Sequence, residues 1–453
     1  MGAVATSTDR VALLHRFRSG RMESRRFFDA LPAGSYEERP IPLRHPFCFY
    51  EGHLAAFNVN TLLKLGLGQP GVDAGMEKLF ERGIDPSDRK AAQEFENSGW
   101  PRRSSILAYV EAADAAVSLA IERTVREDFE GSERPAMRGG EALETILEHE
   151  LMHQETLSYV AHRLSLARKQ RPTTYPLEVG GEPPVPEEIA IPAGTATLGA
   201  NRERVSFGWD NEFPENRVFV PAFRIDRFDV TNRDYLAFVE AGGYQDASLF
   251  TAQDWDFIHD EGITHPLLWE RTSSGNGAPV FMWRGMYDAI PLPPAWPVWV
   301  SGAEAAAFAR WKGRRLPTEA EFHRAAYGTP DGGPERSAPW GDAPAEPSRG
   351  NFGAARYEPV PVGARPRGRS AWGVDDLVGN GWEWTASVFA PFPGFTPMAS
   401  YPLYSTDFFD GSHFVLKGAS PATPVDLVRP GFRNWFRPNY PYLYASFRTA
   451  ATT

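Results

Sequence analysis

The chain has 453 residues, a net charge of −11 and 42% hydrophobic residues, enough for two or three separately cored domains. The negative balance and the lack of a basic stripe argue against nucleic acid. A single cysteine, Cys48, excludes an internal disulfide framework and fits a reducing compartment.

No apolar run reads as a membrane span and no signal-peptide core opens the chain, so a cytoplasmic protein without a membrane partner is expected. Residues 7–31 read as a helix, with Asp9 as cap and Val11, Leu13, Leu14 and Phe17 as apolar positions. A Pro-rich connection leads to a second element, 47–67, in which His53 is an isolated polar residue among Phe49, Tyr50, Leu54 and Phe57. Residues 66–101 look charged and irregular. Further helices are expected over 104–126 and 141–168. Four helices suggest an up-down bundle over 1–170, whose core is a natural metal seat.

Residues 171–192 read as a linker dense in Pro, Gly and Glu. From 193 to 453 the texture changes to short β-like runs, such as 194–199 and 223–226, with helices expected at 232–241, 301–312 and within 314–328. Tryptophan and phenylalanine crowd this half, which reads as an irregular α+β domain.

The stretch that organises the chain is Glu148-His149-Glu150-Leu151-Met152-His153-Gln154-Glu155. Two helical histidines four positions apart are separated by about 40° of rotation and one turn of rise, so their rings can share one metal ion. His162 is about half a revolution from His153 and cannot join them. His53 is the candidate third nitrogen, and three neutral imidazoles suit a zinc hydrolase or a non-haem iron centre with open positions. The string also matches H-E-x-x-H, where Glu150 would be a hydrolytic base. The metzincin continuation is absent, and Glu178 lies in the Pro- and Gly-rich stretch instead of on a second helix.

The strings Phe223-Arg224-Ile225-Asp226-Arg227-Phe228-Asp229-Val230-Thr231-Asn232, Arg315-Leu316-Pro317-Thr318-Glu319-Ala320-Glu321-Phe322, Gly379-Asn380-Gly381-Trp382-Glu383-Trp384-Thr385 and Lys417-Gly418-Ala419-Ser420 resemble the formylglycine-generating-enzyme-like (sulfatase-modifying factor) domain, itself similar to C-type lectin folds. The generating enzymes need paired cysteines, so that activity is not expected. The first half resembles a DinB-type four-helix bundle. The fusion is similar to the ergothioneine-biosynthesis sulfoxide synthases, Fe(II)- and O2-dependent enzymes that attach sulfur to imidazole C2 of hercynine. The resemblance places the iron ligands on His53, His149 and His153. It makes Tyr401 a proton donor, Tyr404 a partner of the hercynine carboxylate, and Asn434 and Trp435 further hercynine contacts, with Phe432, Trp382 and Trp384 as an aromatic lining.

The chain also departs from that family. Members using γ-glutamylcysteine have Asp after the Asn-Trp pair and an Arg a few places on, where this chain has Phe436 and Tyr440. Met152 stands where the family usually has Gln. Without those charges a zwitterionic thiol donor loses its partners, and an aromatic pocket suits a sugar. In this texture the chain resembles the selenoneine synthases, which join hercynine to a selenosugar. Arg102 or Arg103 stands where the family places a donor-binding arginine. The expected donor is thus a selenosugar, with cysteine or γ-glutamylcysteine as the alternative. From other classes, a zinc hydrolase or a non-catalytic lectin-like module remains open, as does a structural calcium ion.

Overall fold

The computed structural model describes residues 10–81, 99–124, 132–273 and 279–453. The chain divides into two units. The first comprises residues up to Lys169 together with two later segments, Arg202–Asp210 and Thr396–Thr406. Its helices are α1 (Arg10–Asp29), α2 (Phe47–Asn58), the short α3 (Ala74–Leu79), α4 (Arg103–Arg123) and α5 (Glu141–His162). The expected cap Asp9 lies outside the described residues.

Helix α2 is apolar almost all round, and every one of its residues is buried, as expected of a helix enclosed by its neighbours. It continues into π-helical turns, Val59–Gly66. Their last residue, Gly66, packs closely: a Cβ there would lie 2.8 Å from Met137 Sδ. Helix α3 was not expected; the Asp73 carboxylate caps it by accepting from the N–H groups of Gly75 and Met76. Helix α5 stops at His162, short of the expected 168, because Ser165 is extended (ψ 129°) and breaks the run before a 3-10 turn at Leu166–Arg168.

One expectation needs correction: Arg103–Arg123 is long and apolar enough to cross a membrane by length and composition. Its Ile106, Ala113, Val117 and Ile121 are instead buried in the bundle, where α4 packs on α1 and α2.

The second unit comprises Gln170–Asn201, Asn211–Phe395 and Asp407–Thr453. Its strands are β1 (Glu188–Ile191), β2 (Gly194–Leu198), β3 (Asn216–Val220), β4 (Phe223–Asp226), β5 (Trp269–Ser273), β6 (Pro279–Arg284), β7 (Ala289–Pro291), β8 (Gly381–Val388), β9 (Phe414–Ala419), β10 (Asn434–Phe436), β11 (Ala445–Ser446) and β12 (Ala450–Thr452). They form sheets ordered β1-β4-β12, β10-β9-β8-β11, β2-β3 and β5-β6-β7. Helices α6 (Asn232–Glu240), α7 (Ala252–Asp260), α8 (Gly302–Trp311) and α9 (Glu319–Tyr327) complete it.

The motifs that carry the family resemblance staple this unit. Thr318 and Glu321 form the capping box that starts α9, and Arg315 clamps Glu321 with two N–H donors. Thr231 and Asp234 start α6 in the same way. Gly379 has φ +101°, and a Cβ there would meet the backbone nitrogen of Asn351 at 2.7 Å. Asn380 accepts from Asn351 Nδ2 and the Val360 N–H. Arg448, fully buried, is held by the Glu383 and Asp229 carboxylates and by the carbonyls of Asp226, Arg227 and Asp375. Trp382 and Trp384 are fully buried; Trp382 stacks on Phe432 at 5.8 Å, and Trp384 Nε1 donates to Val300 O.

Candidate metal centre

Helix α2 supplies His53 and α5 supplies His149 and His153. One nitrogen of each lies within 4.8 Å of the others, the only such trio of histidine, cysteine or carboxylate side chains among the described residues. His149 Nε2 and His153 Nε2 are 3.1 Å apart. Imidazole nitrogens bind a transition metal at about 2.0–2.1 Å, so two ligands at roughly a right angle lie about 3 Å apart, and this pair fits. His53 Nδ1 is 2.9 Å from the Phe80 carbonyl. A carbonyl only accepts, so this nitrogen carries the proton and Nε2 is left with the lone pair.

The surroundings keep the rings neutral. His53 and His149 are buried; His153 is half-buried as a residue, but its Nδ1 is enclosed. Burial pushes His53 down to about 4, and burial reinforced by the neighbouring imidazoles holds His149 and His153 well below the usual histidine range. His149 Nδ1 and His153 Nδ1 have no hydrogen-bond partner among the described residues. Phe49 stacks on His53 at 5.1 Å and Phe57 on His149 at 3.6 Å. Three neutral nitrogen donors converging in an apolar pocket fit a borderline transition metal better than calcium or magnesium, which prefer oxygen.

The tyrosine segment belongs to this same unit. The Tyr401 ring is half-buried, 5.3 Å from that of Phe57 and 5.7 Å from that of Tyr404. Tyr404 is buried, stacks on Trp209 at 3.9 Å and donates its hydroxyl to Met152 Sδ at 3.7 Å. Tyr401 is thus linked to His149 through Phe57, one of the apolar neighbours of His53 in the sequence, and Tyr404 to α5 through Met152. Trp209, which periodicity does not single out, backs Tyr404, and the Phe80 carbonyl carries no side-chain signal at all.

Glu150 turns away from the histidines. It accepts from Arg21 Nη1 at 3.0 Å and from Ser24 Oγ at 2.5 Å, against α1. The next position on a helix is about 100° round, and here that places the carboxylate in a structural ion pair, out of the role H-E-x-x-H would give it. Arg103 is likewise engaged, with Glu51 and Asp29, while Arg102 is exposed just before α4. Cys48 is buried, and burial pushes its thiol up to about 12.

In the second unit, Asn434, Trp435 and Phe436 form β10, paired with β9. Asn434 Oδ1 accepts from the Trp435 N–H at 2.9 Å, Trp435 stacks on Phe389 at 4.3 Å, and Phe436 stacks on Tyr440 at 5.0 Å.

Known proteins share this organisation. Residues 16–157 match the DinB superfamily, and residues 177–453 match the sulfatase-modifying factor enzyme 1-like domain. The hercynine oxygenase of Mycolicibacterium thermoresistibile is 36% identical over 325 residues, covering 67% of this chain and 67% of the relative. That of Mycolicibacterium smegmatis is 35% identical over 311 residues, covering 67% and 70%. Ergothioneine biosynthesis protein 1 of Neurospora crassa is 29% identical over 504 residues, covering 92% of this chain and 55% of its own length. A helical unit holding a three-histidine cluster, a β-rich sulfatase-modifying-factor unit and this identity together place the chain in the hercynine oxygenase family.

Proposed function

We propose that this protein is a non-haem iron enzyme that uses O2 to form a carbon–chalcogen bond at imidazole C2 of hercynine. The observation that carries the reading is the convergence of His53, His149 and His153 beside Tyr401 and Tyr404 in a chain of this family. Ferrous iron held by the three imidazoles would supply O2 activation, because three protein ligands leave positions for gas and substrate.

The chain's own residues supply binding and proton handling. Tyr401 reaches the trio's surroundings through Phe57, which stacks on His149, and a phenol keeps its proton at neutral pH until a strong base demands it. Tyr404 donates its hydroxyl to a thioether, a weak acceptor, and the hercynine carboxylate would be the stronger acceptor for it. In the second unit, Asn434 carries amide N–H donors of the kind a carboxylate accepts from, and a Trp435 face suits a trimethylammonium group.

For the donor we favour a selenosugar. Phe436 and Tyr440 stand where a zwitterionic thiol would need charged partners, and they stack on each other, with Tyr442 5.1 Å from Tyr440. A stacked aromatic surface suits a sugar ring, whereas unpaired donor charges in a desolvated site cost several kcal/mol. Cysteine or γ-glutamylcysteine is the second reading, favoured by the relatives' names and by the Arg437–Asp410 ion pair at 2.9 Å beside Phe436. Anaerobic incubation with Fe(II), hercynine and each donor, followed by O2 and mass spectrometry, decides. A selenosugar adduct in excess supports the first reading, and product with thiols alone supports the second. No O2-dependent product with any donor contradicts both.

A further inference from the structure

The segment Arg202–Asp210 clusters with the helical unit although the chain on both sides of it belongs to the other one. Its last two residues are fully buried, Trp209 at 1% and Asp210 at 0% exposure. Both engage the Tyr401–Ser405 segment. The Trp209 indole lies nearly parallel to the Tyr404 ring, 3.9 Å away at 26°. Asp210 Oδ1 accepts from Ser405 Oγ at 2.5 Å. The same segment is a tight turn, with the Tyr404 N–H donating to Tyr401 O at 3.0 Å and Pro402 at the favoured second position.

The turn is pinned at its other end too. Ser400 donates its N–H and Oγ to Glu141 Oε1 and shares a 2.9 Å hydrogen bond with Thr145 Oγ1, both on α5. Helix α5 also carries His149 and His153. Between the two pins, Pro402 and Leu403 are exposed. The Ser400 pin lies four residues from Tyr404, whose hydroxyl meets α5 only through Met152 Sδ. The Trp209 face lies against the Tyr404 ring, and the buried Asp210 carboxylate holds the Ser405 end of the turn.

We infer that Trp209 and Asp210 are positioning residues: they hold the Tyr401–Ser405 turn so that the two phenols keep their places beside the histidine trio. This rests on the proposed function only where it concerns hercynine. Displacements of about 1 Å at a reacting centre can cost a hundredfold in rate, so the loss of the platform should be seen in catalysis while the metal ligands stay untouched.

The test uses the full chain and two readouts for Trp209→Leu, Trp209→Phe and Asp210→Asn. The first is amide hydrogen exchange, which needs no substrate. Trp209→Leu should speed exchange across 401–405 at least tenfold and leave 145–160 unchanged; Trp209→Phe, which retains a stacking face, should restore most of the protection; Asp210→Asn should loosen the Ser405 end. Unchanged exchange at 401–405 in both Trp209→Leu and Asp210→Asn overturns the inference. So does equal loss throughout α5, which marks a merely structural role. The second readout is the KM for hercynine: Trp209→Leu should raise it roughly tenfold, with no further rise in a Tyr404→Phe background, and additive effects there contradict positioning through Tyr404. If the unaltered protein neither binds nor turns over hercynine while the exchange pattern is as expected, the functional reading falls and the positioning role stands.

Discussion

His53 donates its Nδ1–H to the backbone carbonyl of Phe80 at 2.9 Å, which presents the opposite nitrogen to His149 and His153. The acceptor is main chain just beyond α3, so the loop that carries Phe80 orients a ligand on α2. His53→Ala should lower metal affinity by a hundredfold or more while the bundle still folds; loss of an orienting partner alone typically costs 10–100-fold. Titration of the metal-free protein with Fe(II), set beside its melting curve, checks this. An unchanged affinity would remove His53 from the site.

Protonation of the trio links metal binding to pH. Burial lowers the folded-state value of His53 to about 4 and lowers the other two as well. The unfolded chain therefore binds protons, from about pH 6.5 downward, that the folded chain refuses. Stability from this source is fully present above about pH 6.5 and is lost as pH falls towards 4, with His53 alone contributing about 3 kcal/mol. Melting curves of the metal-free protein between pH 7 and 4 should show the decline, and it should be blunted in His53→Gln.

Glu150 is predicted to be structural. Its carboxylate answers Arg21 and Ser24, and Arg21 also holds Asp114. Glu150→Gln should lower the melting temperature by a few degrees, in line with about 1 kcal/mol. Product formation should stay within a factor of a few. A rate collapse with fold and metal content intact would restore the H-E-x-x-H hydrolytic role.

The histidine pair was legible because it is local: an i,i+4 pair on a helix has one geometry, whereas Tyr401 and Tyr404, which sit in one short turn, were reached only through the family resemblance. The helices of the bundle were legible for the same reason, through apolar spacing. What was not legible depends on long-range contacts. Trp209 looks like one more core tryptophan until its stacking on Tyr404, far along the chain, is seen. The short helices α3 and α7 lack a periodic run, though their caps, Asp73 and Thr251 with Asp254, were present in the sequence. The resemblance strings pointed to the right fold because they are its staples, and for that reason they say little about chemistry.

Arg448 is the clearest of these staples. Replacing it by Ala leaves the Glu383 and Asp229 carboxylates buried without their cation, which should destabilise the second unit by about 3–5 kcal/mol. Urea unfolding followed by tryptophan fluorescence measures the loss. A shift below about 0.5 kcal/mol, the range of ordinary surface substitutions, would contradict the account of Arg448 as a staple.

Tyr401→Phe removes one hydroxyl and keeps the ring against Phe57. Coupling should slow by roughly 10²–10⁴, the usual scale for a lost general acid, while the affinity for Fe(II) is unchanged. Single-turnover mixing of the anaerobic complex with O2 gives the rate. An unaltered rate and product would assign the proton to another group.

The central claim is that three imidazoles hold one catalytic iron, and the most direct test is the stoichiometry of anaerobic Fe(II) binding in the unaltered protein and in a His149→Ala, His153→Ala double variant. The account predicts one ion per chain, O2-dependent consumption of hercynine by that form, and loss of both in the double variant. Tight binding of an ion that persists in the double variant would contradict it, as would a folded protein that takes up no iron.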